Sequence, residues 1–110
     1  MKREELRTIY DRAKSFYKKA YVERYNDKIR LYSYDTHVAT IYLTESGRYY
    51  SLNDDVPEEL LFSQTTLRHI KEFLRQFMSA LDIQYSKLIS KGFSKKNIKE
   101  HSRVDSILYS

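Results

Sequence analysis

In KIRLYSYDTHVATIYLTESGRYYSLN, residues 28–53, the apolar pattern of the chain changes to a period of two. Ile29, Leu31 and Ser33 alternate with Arg30, Tyr32 and Tyr34, and Ala39, Ile41 and Leu43 alternate with Val38, Thr40 and Tyr42. A period of two in β-branched and aromatic residues predicts strands. Ser33 to Thr36 turns the first strand into the second. Thr44-Glu45-Ser46-Gly47 predicts a second short turn, in which Gly47 is free to take a positive φ. Arg48 to Leu52 then returns antiparallel to residues 38–43. The expectation is a three-stranded antiparallel meander.

Upstream, Leu6, Ile9, Tyr10, Ala13, Phe16, Tyr17, Ala20 and Tyr21 recur at spacings of three and four. This predicts an amphipathic helix from about residue 3 to 22, with Arg7, Arg12, Lys14, Lys18 and Lys19 on its other side. Asn26-Asp27 is the first turn signal after it. Downstream, residues 54–59 form an acidic loop with room for one helical turn after Pro57, and Leu60-Leu61-Phe62 suggests a short edge strand. Leu67, Ile70, Leu74, Phe77, Leu81, Tyr85 and Leu88 then predict one long helix over about 66–91. Ser63, Thr65 and Thr66 are its N-cap candidates, and Gly92 is its expected left-handed terminator. A break near Ser79 to Asp82, where Asp82 could cap a second helix, is the alternative. Ser94 would cap a short basic helix, Lys95 to His101, anchored by Ile98, with Val104, Ile107 and Leu108 docking a last turn or fraying. The expected fold is a single α+β domain over residues 1–110. It has an N-terminal helix, a three-stranded meander, a long helix and a short C-terminal helix packed on one face.

The 110 residues carry a net charge of +5, unevenly spread. Residues 1–30 have ten basic and five acidic side chains, residues 31–66 one and six, and residues 67–110 nine and four. Basic flanks around an acidic middle point to nucleic acid or an acidic protein surface as partner, or to solvated helix faces. With no cysteine, disulfides and zinc–thiolate sites are excluded and a reducing compartment is the simplest home. No apolar run spans a bilayer and no signal peptide opens the chain, so the expected location is the cytoplasm, with no membrane association.

Catalytic signatures are missing. His37, His69 and His101 are isolated in sequence, and Gly47 and Gly92 are too far apart for a phosphate loop. The acid pairs Asp54/Asp55 and Glu58/Glu59 read as a solvated loop. The expectation is a binding protein with no enzymatic activity, no cofactor and no metal. Nine of the eleven tyrosines lie in the first 50 residues, interleaved with Lys and Arg. Each ring alone reads as core or half-exposed sheet; together they suggest an aromatic patch for a protein or for unpaired bases.

Two further segments stand out: Ser33-Tyr34-Asp35-Thr36-His37-Val38-Ala39 at a strand start, and Ser63-Gln64-Thr65-Thr66-Leu67-Arg68-His69-Ile70-Lys71-Glu72-Phe73 at a helix start. If they meet, polar groups converge at the junction of sheet and helix, as bracing or as a binding site. The combination, over residues 29–77, resembles a family of small uncharacterised proteins from phages and mobile elements of bacteria. The resemblance implies a genomic setting. With the small size it implies an inhibitor of a bacterial defence or nucleic-acid-processing enzyme, as anti-CRISPR proteins are, with a bacterial defence protein or ribonucleoprotein as partner. A nucleic-acid-binding accessory protein using basic helices and tyrosines is the alternative, with weak nucleic-acid contact, and a small dimerising structural protein the third reading. The expected macromolecule-binding residues are Lys14, Lys18, Lys19, Tyr32, Tyr34, Arg68, His69, Lys95, Lys96 and Lys99.

Overall fold

A computed structural model describes residues 2–108. The three expected strands are present as Lys28–Ser33 (β3), Thr36–Thr44 (β4) and Gly47–Leu52 (β5). Two more precede them, Lys2–Glu5 (β1) and Ala20–Arg24 (β2), so the sheet has five antiparallel strands in sequence order. This corrects the expected architecture: a five-stranded sheet, not three strands after a helix. Alternation decides which face is which. Along β3, Ile29, Leu31 and Ser33 are buried while Lys28, Arg30 and Tyr32 stay half-buried. Ile29 faces Ile41 and Leu31 faces Ala39 on β4, and Tyr50 and Leu52 continue the inner face on β5. An extra residue between the Ala39 and His37 pairings, Val38, bulges β4 and is itself fully buried.

No N-terminal helix forms. Of its expected apolar stripe, Leu6, Phe16 and Ala20 are buried, but Ile9, Tyr10 and Tyr17 are 69%, 56% and 72% exposed. Local side-chain bonds compete with a helix there: Asp11 Oδ1 accepts the Ala13 N–H and Ser15 Oγ accepts the Tyr17 N–H. The decisive partner is remote. Glu72, buried on a helix, accepts the N–H groups of Ile9, Tyr10 and Asp11, which would otherwise be unpaired. Residues 6–19 are therefore a loop laid across that helix.

The helices are Glu58–Leu61 (α1), Gln64–Phe77 (α2), Ala80–Ser90 (α3) and Lys95–Leu108 (α4). The expected edge strand at Leu60–Phe62 is occupied by the end of α1 instead. Ser63 caps α2 by accepting the Thr66 N–H, displacing Thr65 and Thr66 from that role. The expected long helix is broken after Phe77. Ser79 and Asp82 form a reciprocal capping box that starts α3, so Asp82 acts from the third helical position and Ser79 is the cap. Gly92 is not left-handed; among the glycines only Gly47 has a positive φ, 144°, with space limited by Tyr85. The basic helix expected to stop at His101 runs on through Val104 and Leu108, both buried.

Helix α3 lies along the edge of β5 and closes it. The outward N–H groups of Arg48, Tyr50 and Leu52 donate to Asp82 Oδ1, Ser86 Oγ and Asn97 Oδ1 at 3.1, 3.1 and 3.4 Å. A free edge of this kind would template pairing with another chain. The opposite edge, β1, is four residues long, and all four are charged.

Among the described residues, one buried side chain lacks a hydrogen-bond partner. Glu100 on α4 is fully buried, and neither carboxylate oxygen has a hydrogen-bond partner among the described residues. Burial raises its pKa. The unfolded chain then loses the proton at lower pH than the folded one, so Glu100 costs stability as pH rises above the ordinary carboxylate range. Glu100→Met is expected to raise the melting temperature, by more at pH 8 than at pH 4.5. Equal shifts at both pH values would refute the assignment.

Candidate macromolecule-binding site

Because all four helices serve the inner face and the β5 edge, the outer face of the sheet is open. Its side chains follow from register. Arg3 pairs with Glu23, Tyr21 with Tyr32, Glu23 with Arg30, Tyr32 with His37, and Tyr42 with Tyr49. One face thus gathers Tyr21, Tyr32, Tyr42 and Tyr49 with His37, and Tyr25 joins at the β2–β3 turn. The rings are ordered by one another and by cations. The Arg3 guanidinium lies 4.6 Å from the Tyr32 ring and 5.9 Å from Tyr21. Lys28 and Arg30 lie 5.4 and 5.3 Å from Tyr25. Tyr42 and Tyr49 stack at 4.9 Å, and Tyr32 meets His37 at 5.5 Å. Such cation–ring contacts fix geometry and contribute about 0.5–1 kcal/mol each where exposed.

Glu23 sits beneath this layer. Burial pushes its pKa up, but hydrogen bonds from Tyr32, Arg3 and Tyr25 outweigh that and hold it below the usual carboxylate value. Its charge is thereby spent inside the face. Burial, and then the Arg30 guanidinium, lowers the His37 pKa, so this ring is neutral at pH 7 and shares a 2.7 Å hydrogen bond with Thr40. Beside β5 the face deepens into an open groove of about 530 Å³, walled by His37, Tyr42, Tyr49 and Phe93 and floored by Thr40 and Ser51.

The sequence-predicted residues distribute differently. Tyr32 belongs to the open face. Lys14, Lys18 and Lys19 are exposed on the 6–19 loop instead of a helix, and Lys19 approaches the Tyr34 ring at 5.7 Å. Lys95, Lys96 and Lys99 occupy the start of α4 against the acidic loop of the same chain. Lys96 donates to the Asp54 and Val56 carbonyls, and Lys99 pairs with Glu58 at 3.9 Å. The acidic middle and one basic flank meet internally. Arg68 pairs with Asp11, whose carboxyl its hydrogen bond holds below the ordinary range.

The two sequence segments do meet. Ser33 Oγ lies 2.8 Å from His69 Nδ1 and 3.3 Å from Thr66 Oγ1, all buried, with Phe16 edge-on to the imidazole at 4.5 Å. This cluster braces β3 to α2. Burial, and then Arg68, lowers the His69 pKa to about 4. The unfolded chain takes up that proton near pH 6.5, so the contribution is full above that value and lost as pH falls toward 4, roughly 3 kcal/mol in all. Urea unfolding at pH 7 and 4.5 is expected to reveal this loss in the native protein. His69→Asn keeps a polar group near Ser33 and should flatten the difference; an unchanged difference would refute it.

A second buried cluster ties α3 and α4 to β5. Ser86 Oγ is 3.0 Å from His101 Nε2, and His101 Nδ1 is 3.2 Å from Asp105, which also accepts the Tyr50 hydroxyl at 2.7 Å. The order is that of a hydrolytic triad. Ser86 is fully buried, however, and its Oγ already accepts the Tyr50 N–H. Tyr50 stacks on the imidazole at 4.0 Å. The hydroxyl has no side from which a substrate could approach. Among the described residues no group of three or more His, Asp or Glu is set to hold a metal ion, and no helix is long and apolar enough to cross a membrane.

The fold and the open face define an α+β protein with a tyrosine-rich, cation-ordered sheet surface. The chain belongs to a family of unknown function, DUF8033, whose model matches residues 4–92. The match takes in all five strands but β1's first two residues, together with α1, α2 and α3. No curated protein and no solved structure matches the chain.

Proposed function

We propose that this chain is a non-enzymatic binding module that holds single-stranded nucleic acid on the open face of its sheet. The observation that carries this reading is the row of Tyr21, Tyr32, Tyr42 and Tyr49 with His37, framed by Arg3, Lys28 and Arg30. Every unpaired base offers a π face, so rings on a sheet accept successive bases with little sequence preference, each stack being worth about 1–3 kcal/mol. A duplex hides those faces. Cations are few on this surface, and Arg3 is shared with Glu23, so stacking outweighs phosphate pairing.

Titration of a labelled oligonucleotide against salt tests this. Three phosphate contacts, from Arg3, Lys28 and Arg30, give an expected slope of log K against log salt of about −2, with single strand preferred over duplex. Equal affinity for duplex, or a much steeper slope, would favour the exposed lysines over the sheet.

The rings themselves favour a second reading. Tyr and Arg, which Tyr32 and Arg3 combine on this face, are the residues that dominate protein hot spots. The partner would then be a bacterial defence or nucleic-acid-processing enzyme, inhibited in the manner of an anti-CRISPR protein encoded by a phage or mobile element. Gene neighbourhood and affinity for a ribonucleoprotein without affinity for free single strands would select it.

A further inference from the structure

Two turns at one end of the sheet carry the same anomaly. In Phe16–Lys19 the central residues Tyr17 and Lys18 have φ of 53° and 61°, and the Lys19 N–H closes the turn on the Phe16 carbonyl at 3.0 Å. In Ser33–Thr36 the central residues Tyr34 and Asp35 have φ of 51° and 66°. Tight turns of this hand select Gly, Asn or Asp, because a Cβ crowds the backbone there. Both turns put tyrosine, a bulky residue, at the first strained position. Packing accounts for little of it at Tyr17, which is 72% exposed, and for only part of it at Tyr34, which is 49% exposed. Strain of this kind clusters at active sites, ligand clamps and switch regions of folded proteins.

The turns are neighbours. The Tyr34 N–H donates to the Lys19 carbonyl at 2.9 Å, and the Lys19 ammonium lies 5.7 Å from the Tyr34 ring. The Tyr34 ring also lies 6.0 Å from the His69 imidazole, and the residue stays 49% exposed. Asp35 lies 3.6 Å from Arg3, the guanidinium that stacks on Tyr32, so the turns continue the open face.

We propose that Tyr17 and Tyr34, with Lys18 and Lys19, form an end subsite for a nucleotide of the bound single strand. The rings take an unstacked base and the ammonium groups its phosphate. The inference rests on the single-strand reading and adds a ligand contact outside the five-tyrosine face. It also accounts for tyrosine at two positions where asparagine would relieve the backbone.

Tyr17→Asn and Tyr34→Asn, singly and together, test it, because asparagine tolerates the left-handed conformation and lacks the ring. The melting temperature is expected to match or exceed that of the native protein. Affinity for a strand of about ten nucleotides should fall about tenfold per ring, while a strand of about four, covering the sheet alone, should bind as before. The charge reversal Lys18→Glu, which leaves both rings in place, should weaken only the longer strand. Variants that bind both lengths like the native protein would overturn the subsite and leave the sheet reading intact. So would asparagine variants that melt several degrees lower, since the rings would then be structural. A native protein with no affinity for either length would overturn the sheet reading and the subsite with it.

Discussion

Glu72→Ala is expected to lower the stability of the folded chain by about 3 kcal/mol, a large part of the roughly 5–15 kcal/mol that holds a small domain together. The carboxylate accepts the N–H groups of Ile9, Tyr10 and Asp11 at 3.1, 3.0 and 2.7 Å, and Gln76 Nε2 at 2.6 Å while that amide also holds the Arg7 carbonyl. Hydrogen bonds to an ionised acceptor are about twice as strong as neutral ones. Alanine removes the acceptor and strands the donors. The loss should be local first: amide exchange at residues 9–11 should accelerate before the sheet opens. Glu72→Gln keeps one acceptor oxygen and should fall between the two. A Glu72→Ala protein as stable as the native one would mean that water replaces the carboxylate, and the loop would not be held as described.

The joint substitution Tyr32→Ala and Tyr42→Ala is expected to weaken single-strand binding by about a hundredfold, about tenfold for each ring. Both side chains are half-buried on the solvent face and Tyr32 also bonds Glu23, so the melting temperature should fall by a few degrees with the fold retained. Loss of binding without loss of fold separates a ligand surface from a structural one. Tyr50→Phe is the control. Tyr50 lies on the inner face and donates to Asp105, so this change should cost stability and leave binding intact. The reverse pattern would take the site off the open face.

The last three strands can be read from residues 28–53. The alternation of Ile29, Leu31 and Ser33 against Arg30, Tyr32 and Tyr34 reflects a sheet with one dry face, and β3, β4 and β5 follow it. The N-terminal segment misleads for a physical reason. Leu6, Ile9, Tyr10, Ala13, Phe16 and Tyr17 have helical spacing, but their register is answered by a carboxylate more than sixty residues away and not by a packing face. A competing signal was present: Ala20 and Val22 alternate with Tyr21 and Glu23, the pattern that β2 uses. The break in the long apolar stripe was legible in Ser79 and Asp82, whose spacing is that of a capping box. The meeting of Ser33 with His69 was suggested by the two polar segments, while its role as a buried brace depends on burial that local sequence does not contain. The site was legible only as a surplus of tyrosines. Which of them share a face depends on β2 and on strand register, so Tyr21, Tyr42 and Tyr49 could not be separated from the inward Tyr50. The lysines were visible as charge, but the pairing of Lys96 and Lys99 with residues 54–58 is a tertiary fact.

A thiouracil-bearing single strand of about ten nucleotides, photocrosslinked to the native protein and mapped by mass spectrometry, would show where nucleic acid lies. Adducts are expected on the outward tyrosines Tyr21, Tyr32, Tyr42 and Tyr49, suppressed by unlabelled single strand and not by duplex. Adducts confined to Lys95, Lys96 and Lys99 at the start of α4, or no adducts at all, would contradict single-strand binding on the open face.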